Sequence, residues 1–424
     1  MEEMGFLDTE RVLAIKEEFG TPVFVYDQNT LEDQARKVLD FPNAFGLTAR
    51  YAMKALPAAA VVRILNRAGL HIDASSGFEA ERAMMAGVPP GQIQLTAQEL
   101  PGNLEDLVKQ GVIFNACSLE QLRSFGGLFP GHPVSVRINP GLGSGHSKRT
   151  NVGGPSASFG IWWEYLDEVL KIQEMYDLKI TTMHTHIGSG SDPEVWERCA
   201  LMSLGIAARL PDAKTLSLGG GFKVGRMPGE FSTELQQIGV HIVEAFQAFS
   251  GEHGRELRLE VEPGTFLVAN AGALICSVTD VVDTGKGGNN FIKVDGGMTE
   301  LLRISLYGAQ HPIATVPADG QERPRMDYLV AGHCCESGDV LTPEPDNPEG
   351  LKVRSLMTAQ IGDALVVGGS GAYCSGMASK NYNSFPEAAE VLMGTDGRFH
   401  LIRKRQSLEQ IVVNEVMPQC LSIG

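Results

Sequence analysis

The stretch Leu47-Thr48-Ala49-Arg50-Tyr51-Ala52-Met53-Lys54 is a mostly apolar, strand-like run that ends in a lysine. Seven similar runs follow it, so the predicted strands are 47–53, 70–73, 93–96, 112–116, 134–138, 180–186, 216–218 and 257–262. Helical patterns lie between most of them, at 77–86, 119–125, 163–175, 195–209 and 234–249. Strands that alternate with helices indicate βα units, and eight such strands predict a closed (β/α)8 TIM-like barrel. An open, doubly wound sheet is the alternative.

The texture of the sequence changes after residue 270, where strand-like runs separated by Gly and Pro turns predict a second, β-rich domain. Examples of these runs are 273–282, 291–294, 328–331, 364–368 and 400–403. A further strand, 22–26, precedes the barrel, and we assign it to the second domain. The chain is therefore predicted to be α/β, with a barrel at 28–270 and a β-rich sandwich or barrel at 1–27 and 271–424.

Composition restricts the kinds of partner. The 424 residues include 51 acidic and 35 basic side chains, and the net charge of −16 argues against a nucleic acid or an anionic membrane. No apolar run is long enough to span a bilayer, and the acidic start Met1-Glu2-Glu3-Met4 is unlike a signal peptide. The seven cysteines form no CxxC pair, so we expect reduced thiols and a cytoplasmic location, with no structural metal and no disulfide framework.

The predicted strand ends carry candidate site residues, because barrel active sites form at the C-terminal ends of the strands. Lys54 ends the first strand and could form a Schiff base with an aldehyde cofactor. The seventh strand ends in Gly219-Gly220-Gly221. Glycine lets the backbone approach a phosphate and offer N–H donors, although most glycine runs are only turns. The eighth strand ends in Glu262-Pro263-Gly264.

The sixth strand ends in His184-Thr185-His186-Ile187-Gly188-Ser189-Gly190, with both histidines on one face of the strand. We expect His186 to lie against an aromatic cofactor ring and Ser189 to bind its phosphate. A pair of core histidines is the plain structural alternative. Two histidines also make half of a metal site, but no cluster of further ligands accompanies them in the sequence.

The last predicted barrel strand alternates in character. Leu257, Leu259 and Val261 share one face, and Arg258, Glu260 and Glu262 share the other. The apolar face suits packing against helices, so the charged face is expected to line the barrel, where an unpaired Glu262 would be costly. A Glu262 that faced a pyridine nitrogen would keep it protonated and make the ring an electron sink. A buried salt bridge, for example with Arg258, is the alternative.

The second domain holds one more candidate, the turn Gly332-His333-Cys334-Cys335-Glu336-Ser337-Gly338-Asp339. Most cysteines are inert, small apolar groups. A cysteine flanked by Glu, Ser and Asp in a turn could instead deliver a proton.

Taken together, these motifs resemble the diaminopimelate decarboxylases, a family of fold-type-III pyridoxal-phosphate decarboxylases in the alanine-racemase-like barrel group. The resemblance runs from about residue 21 to 415. Residues 145–154 and 335–339 are particularly similar to the diaminopimelate branch, since relatives that act on ornithine or arginine usually carry Asp after the cysteine. The other similar segments are 21–27, 51–55, 141–161, 183–190, 219–221, 260–264, 295–313, 371–373 and 381–383.

The resemblance implies a pyridoxal 5'-phosphate cofactor and the residues that bind it. Lys54 would hold the cofactor, His186 would stack on its ring, and Glu262 would bind the pyridine nitrogen. The phosphate would be bound by Ser189, Gly220, Gly221 and the backbone of Gly264, with help from Tyr373.

The resemblance also implies a substrate, meso-2,6-diaminopimelate, which would be decarboxylated to L-lysine and CO2 in the last step of lysine biosynthesis. Arg303 and Tyr307 would grip a substrate carboxylate, a bidentate task that suits arginine, and Tyr373 would assist. Glu336 would meet the far amino group, and Cys335 would donate the proton. In this family Cys335 and Glu336 come from the neighbouring subunit, so the active unit would be a homodimer with shared active sites.

The chain departs from the family pattern at three places. Thr265 stands where the family usually has an arginine that helps to bind anions. Residues 156–160 lack the usual lysine or similar group before Phe-Gly, and Ile304-Ser305 replaces the common Pro-Ala. We expect Lys148 or Arg149, in the loop after the fifth strand, to replace the missing arginine. Ordinary solvated loop charges are the alternative.

Three other functions are compatible with the residues. The first is a decarboxylase of the same fold that acts on ornithine, D-lysine or a carboxy-polyamine. The second is an aldolase-like barrel that uses Lys54 on a carbonyl substrate without a cofactor. The third is a non-catalytic pyridoxal-phosphate carrier, against which the second domain argues.

Overall fold

The computed structural model describes residues 4–142, 153–186 and 193–421. The chain divides into two compact units. The barrel unit comprises Thr30–Gly225 and Gly229–Val268, and the β-rich unit comprises Met1–Asn29, Arg226–Pro228 and Ala269–Gly424. No helix in the described part of the chain is long and apolar enough to cross a membrane.

The strands and helices are numbered in chain order. The strands are β1 (Val23–Asp27), β2 (Leu47–Ala52), β3 (His71–Ala74), β4 (Ile93–Leu95), β5 (Ile113–Ala116), β6 (Pro133–Asn139), β7 (Ile161–Trp162), β8 (Lys179–His184), β9 (Thr215–Ser217), β10 (Arg258–Val261), β11 (Gly272–Asp283), β12 (Asn290–Val294), β13 (Ile313–Val316), β14 (Arg325–Ala331), β15 (Pro343–Glu344), β16 (Asn347–Leu351), β17 (Arg354–Met357), β18 (Ala364–Val367), β19 (Ala389–Met393) and β20 (Phe399–Arg403). The helices are α1 (Thr9–Phe19), α2 (Gln28–Leu39), α3 (Ala59–Arg67), α4 (Gly77–Met85), α5 (Leu104–Gln110), α6 (Leu119–Leu128), α7 (Leu166–Tyr176), α8 (Pro193–Ala207), α9 (Leu235–His253), α10 (Thr265–Val268), α11 (Met298–Tyr307) and α12 (Leu408–Val412).

The barrel unit is a closed ring of parallel strands. Its order is β2, β3, β4, β5, β6, β8, β9 and β10, and pairing of β10 with β2 closes the ring. The predicted (β/α)8 fold is confirmed, and the open doubly wound sheet is wrong. The ends of the predicted strands differ from the observed ones by at most two residues; the run predicted at 180–186, for example, is the strand Lys179–His184.

Alternation along the barrel strands places polar side chains between apolar ones. On β6, Ser135 and Arg137 alternate with Val134 and Val136, and all four are buried. Ser135 Oγ donates to Asn115 Oδ1 on β5 at 2.9 Å. Strands of a parallel barrel are covered on both faces, so a polar residue that faces the interior must find a polar partner there.

The β-rich unit is built on a mixed sheet. Its main path is β17-β14-β12-β11-β1-β19-β20, and β18 joins β11 to β13. Strand β1 pairs antiparallel with β11 and parallel with β19, so this N-terminal strand completes the second sheet. The predicted β-rich second domain is confirmed as a fold class. Its buried core includes Val12, Ile15, Val23, Val25, Ala273, Ile275, Val366 and Val391.

A short excursion of the chain between β9 and α9 also belongs to the β-rich unit. Residues 226–228 group with it, and Arg226 Nε donates to Gly369 O at 3.1 Å. Nothing in the sequence pattern indicates this excursion, because it contains neither a strand nor a helix.

Candidate active site

Lys54 lies in a 3-10 turn, Met53–Ala55, that follows β2 directly. Its side chain is exposed, whereas its two neighbours in the turn are buried. Ala52 N–H donates to Pro263 O at 3.1 Å, and a Cβ built on Gly264 would lie 3.3 Å from Ala52 O. The turn that carries Lys54 is therefore packed against the loop that follows β10.

Glu262 follows β10 and accepts hydrogen bonds from residues on three other strands of the barrel, β4, β8 and β9. His184 Nε2 lies 2.8 Å from Oε2, Gln94 Nε2 donates to Oε1 at 2.8 Å, and Ser217 Oγ donates to Oε1 at 3.2 Å. All four side chains are buried. The alternative salt bridge with Arg258 does not form, because that guanidinium is exposed and binds β2 instead. The charged face of β10 was predicted to line the barrel interior. Glu260 and Glu262 are buried as predicted, whereas Arg258 is exposed.

The pKa values of two carboxyls in this region of the barrel, Glu262 and Asp73, are shifted in opposite directions. Burial alone would raise the pKa of Glu262, but the hydrogen bond from His184 and the interactions with His184, His186 and Arg50 together outweigh burial and lower it to about 2. Burial lowers the pKa of His184, so a neutral imidazole donates its Nε2–H to an ionised Glu262. Burial and the charge of Glu262 raise the pKa of Asp73, on β3, to about 8. The pKa values of the two carboxyls are thus shifted in opposite directions, which favours an ionised Glu262 and a protonated Asp73.

Gly219-Gly220-Gly221 follows β9 in a backbone conformation that favours glycine. Gly219 has φ of +71° and Gly221 has φ of +109°. A Cβ on Gly220 would lie 2.2 Å from Glu262 O, which leaves no room for a side chain. The N–H groups of Gly220 and Gly221 donate to no acceptor in the described ranges. Backbone donors of this kind suit a phosphate group.

Four buried polar atoms at the same strand ends have no hydrogen-bond partner among the described residues. They are Asp73 Oδ1, Arg137 Nη2, His184 Nδ1 and His186 Nδ1. Buried polar atoms are normally paired, so this set indicates a polar ligand. An ionised Glu262 suits a protonated ring nitrogen, and the glycine donors suit a phosphate. The donors and acceptors present therefore fit pyridoxal phosphate.

The histidine pair at the end of β8, His184 and His186, does not form a metal site in the part of the chain that the structure describes. His184 Nε2 is engaged by Glu262, and no group of three or more His, Cys, Asp or Glu in that part is placed to hold a metal ion. His186 is partly buried, and burial together with the charge of Arg137 holds its pKa well below the ordinary value. Ser189, the predicted phosphate ligand, lies outside the described residues, as do Lys148 and Arg149.

In the β-rich unit, Arg303 and Tyr307 lie on α11. Arg303 Nη1 donates to His311 Nε2 at 2.5 Å, and His311 Nδ1 lies 2.9 Å from Gly368 O. Burial and the nearby Arg303 hold the pKa of His311 well below its usual value, so the imidazole is neutral and donates its Nδ1–H to the carbonyl. His311 therefore orients the Arg303 guanidinium. Tyr307 is the last residue of the helix and is partly buried.

The turn 332–339 follows β14 and presents its two cysteines differently. Cys335 is exposed and Cys334 is buried. Burial and the neighbouring Asp339 raise the pKa of the Cys334 thiol to about 12. Glu336 is exposed, and Tyr382 Oη lies 3.5 Å from its carboxylate. Cys335 is thus the accessible thiol of the pair.

Tyr373 lies in the loop after β18 with φ of +56°. A left-handed backbone is uncommon for a tyrosine and is typical of functional sites when the surrounding structure imposes it. Its side chain is partly buried.

Sequence reasoning missed several side chains of these clusters. Asp73, Gln94 and Arg137 occupy alternating polar positions on their strands, as Glu262 does, and the alternation was a usable signal for them. His311 follows a helix in an irregular segment, and no pattern marks it.

Residues 31–269 match the model of the pyridoxal-dependent decarboxylases, in the part that forms the pyridoxal binding domain. This match covers more than half of the chain. The chain therefore belongs to the family of pyridoxal-dependent decarboxylases. The predicted family, enzyme class and cofactor are confirmed.

Particular relatives refine this class. The diaminopimelate decarboxylase of Streptomyces coelicolor is 37% identical over 425 residues, which cover 98% of this chain and 93% of the relative. That of Escherichia coli K12 is 35% identical over 420 residues and 97% of each chain. A crystal structure of a diaminopimelate decarboxylase superimposes with a TM-score of 0.90 at 34% identity over 96% of both chains. The lysine/ornithine decarboxylase of Vibrio vulnificus superimposes with a TM-score of 0.75 at 22% identity, which shows the fold alone.

Proposed function

We propose that this chain decarboxylates meso-2,6-diaminopimelate to L-lysine and CO2, the last step of lysine biosynthesis. The observation that carries the proposal is similarity to diaminopimelate decarboxylases over nearly the whole chain, at 37% identity to the Streptomyces coelicolor enzyme. The barrel unit supports it, because an ionised Glu262 lies among donors at the strand ends that also carry Lys54.

The barrel residues would bind and orient the cofactor. Lys54 would bind its aldehyde carbon through the side-chain amine, and Glu262 would hold a proton on the ring nitrogen. His186 would lie against the ring. The phosphate would be held by Ser189, Gly220, Gly221 and Gly264, with Tyr373. When bound, pyridoxal phosphate supplies an electron sink for the carbon that loses CO2.

The β-rich unit would supply the substrate contacts. Arg303, which His311 orients, would grip a carboxylate together with Tyr307 and Tyr373. Glu336 would bind the far ammonium group of the substrate. The exposed Cys335 thiol would donate a proton to the carbon that has lost CO2.

The active unit would be a homodimer in which each site takes Cys335 and Glu336 from the partner subunit, and the enzyme would act in the cytoplasm. Mixing inactive Lys54→Ala with inactive Cys335→Ala tests the shared site, since a hybrid dimer holds one intact site. About a quarter of the wild-type activity is the statistical expectation for random exchange. No recovery after verified subunit exchange would argue against shared sites.

The decisive experiment is product analysis. Purified protein is incubated with pyridoxal phosphate and meso-diaminopimelate, and both CO2 release and lysine are measured. Ornithine, D-lysine and a carboxy-polyamine are then compared as single substrates and as competitors. Preferred release of CO2 from one of these amines would contradict the proposal and favour a different substrate within the same class.

A further inference from the structure

The turn that carries Cys335 is closed on itself by backbone contacts. Gly332 N donates to Asp339 O at 2.8 Å, and Ala331 forms a bridge with Val340 beyond it. Asp339 N in turn donates to Glu336 O at 3.1 Å. These bonds fix where the turn begins and ends, but they leave the amides of its centre to other partners.

The amide of Cys334 is bound by Asp339. This buried carboxylate accepts from Cys334 N at 2.9 Å through Oδ2 and from Met298 N, the first residue of α11, at 2.7 Å through Oδ1. A Cβ on either Gly332 or Gly297 would come within 2.4 Å of the carboxylate. Asp339 therefore ties the turn to the helix that carries Arg303.

The amide of Cys335 is bound by Asn383. Asn383 Oδ1 accepts from Cys335 N at 2.8 Å. Asn383 lies in the short 3-10 turn Tyr382–Ser384 and has φ of +51°, a left-handed conformation that asparagine tolerates better than most residues. Few other residues with a side-chain hydrogen-bond acceptor adopt a left-handed backbone at low cost.

We propose that Asn383 is a positioning residue for Cys335, and this inference rests on the proposed function. Consecutive amides of the turn are thus held, at Cys334 by Asp339 from the end of the turn itself and at Cys335 by Asn383 from a separate element. Holding the peptide on the N-terminal side of Cys335 restricts the directions that its Cα–Cβ bond can take. The thiol is thereby directed to one face of the carbon that receives the proton.

The proton transfer has a stereochemical signature. The bond from carbon to the departing carboxylate breaks, its electron pair remains with the carbon, and a new C–H bond takes the proton from Cys335 Sγ. Solvent returns a proton to the thiolate. In D2O the thiol carries deuterium, so the lysine formed has one deuterium at Cε, and a fixed thiol gives one configuration at that carbon.

The test compares Asn383→Gly with Asn383→Asp in D2O. Glycine adopts the left-handed backbone but removes the acceptor, whereas aspartate keeps Oδ1. We expect wild type and Asn383→Asp to give a single configuration at Cε. Asn383→Gly should give a mixture, with kcat reduced about 10–100-fold, within the contribution of a positioned acid, and KM within about threefold.

Asn381→Gly is the matched control. Asn381 has φ of +58°, but its side chain binds Phe385 O and Gln406 rather than the cysteine turn. This variant should lose thermal stability and still give one configuration. The same mixture from Asn381→Gly would overturn the inference, because the effect would then come from disturbing the segment.

Two further outcomes decide the matter. A single configuration and an unchanged kcat in Asn383→Gly would overturn the inference while leaving the proposed function intact. Absence of lysine from wild type would instead reject the proposed function. Should Asn383→Gly fail to fold, amide hydrogen exchange of Cys335 in wild type replaces it. Because Cys335 and Asn383 are both exposed, we expect exchange slower than the intrinsic rate of an unbonded amide, and exchange at the intrinsic rate would overturn the bond on which the inference stands.

Discussion

His184 Nε2 lies 2.8 Å from Glu262 Oε2, and both side chains are buried where β8 and β10 end. The imidazole is neutral and the carboxylate is ionised, so the pair is a charge-assisted hydrogen bond rather than an ion pair between two charges. The bond stabilises the anionic form of Glu262 in the interior of the barrel. His184, the first histidine of the His-Thr-His sequence, is therefore a hydrogen-bond donor to Glu262 and not only a packed core residue.

Replacing His184 by Ala should weaken cofactor binding. Glu262 would lose one of three donors, its pKa would rise, and a protonated ring nitrogen would be held less well. A hydrogen bond to a charged group is worth about 1.5–3 kcal/mol, so the Kd for pyridoxal phosphate should rise about 10–100-fold. Spectroscopic titration of the cofactor measures it. His184→Gln, which keeps a donor, should lose less, and His241→Ala, on the exposed side of α9, should change nothing. Equal losses in Ala and Gln variants would contradict the donor role.

Replacing Lys54 by Ala should abolish turnover and the visible absorbance of the lysine-bound cofactor. The amine is required to bond the aldehyde, and neither Ala nor Arg supplies it. Lys54→Arg should therefore be as inactive as Lys54→Ala although it keeps the charge. Lys179→Ala, at an exposed lysine, is the control. A Lys54→Ala protein that retained both absorbance and activity would remove Lys54 from this role.

Replacing Cys335 by Ala should slow turnover about 10²–10⁴-fold, the usual contribution of a positioned acid, with a much smaller change in KM. Cys334→Ala is the neighbouring control. Its thiol is buried and its pKa is raised to about 12 by burial and Asp339, so we expect little loss of activity. The reverse pattern, with Cys334→Ala damaging and Cys335→Ala silent, would show that the proton donor is misassigned.

Glu300 gives a pH-dependent prediction for stability. Burial raises its pKa from 4.5 to about 7, against the hydrogen bonds from Thr299 Oγ1 and Gly297 N. Because the folded pKa exceeds the unfolded one, its stabilising contribution is complete below about pH 4 and is lost as pH rises through 7. Glu300→Gln keeps an acceptor and removes the titration. The measured quantity is the unfolding free energy of the variant minus that of wild type, from urea unfolding at each pH. This difference should be more favourable to the variant at pH 8 than at pH 4, by up to about 3 kcal/mol. An equal difference at both pH values would refute this assignment.

The barrel was predictable because its signals are local and repeated. Eight short apolar runs separated by helical patterns specify βα units, and no single boundary decides the fold. The strand β1 could also be predicted from the sequence, since Val23 to Val25 is apolar and precedes the barrel. Its pairing with β11 and β19, however, depends on segments about 250 and 366 residues away in the chain. Sequence patterns do not encode partners at such distances.

The site was predictable where chemistry and strand ends coincide. Glu262 was found because an acid on the interior face of a barrel strand needs a partner. Its partners were not, since Gln94 and Ser217 are ordinary polar residues until the strands bring them within 3.2 Å of its carboxylate. The same holds for His311 and Arg303, whose contact arises from a helix end and a loop rather than from a motif.

Thr265 begins α10, directly after Gly264, where the family usually has an arginine. The expectation that Lys148 or Arg149 replaces this arginine stays a prediction, because both lie outside the described residues. A substrate with two carboxylates leaves anionic charge that is costly to bury unpaired. One of Lys148→Ala and Arg149→Ala should therefore raise KM for diaminopimelate about tenfold, with a smaller change in the Kd of the cofactor, as expected for loss of about 1.4 kcal/mol. Thr265→Arg should be tolerated and should partly restore KM in the damaged variant. Steady-state kinetics of the two alanine variants, each with and without Thr265→Arg, measure both effects. Unchanged KM in both alanine variants would leave Arg303 and Tyr307 as the proposed carboxylate contacts and reduce Lys148 and Arg149 to solvated loop charges.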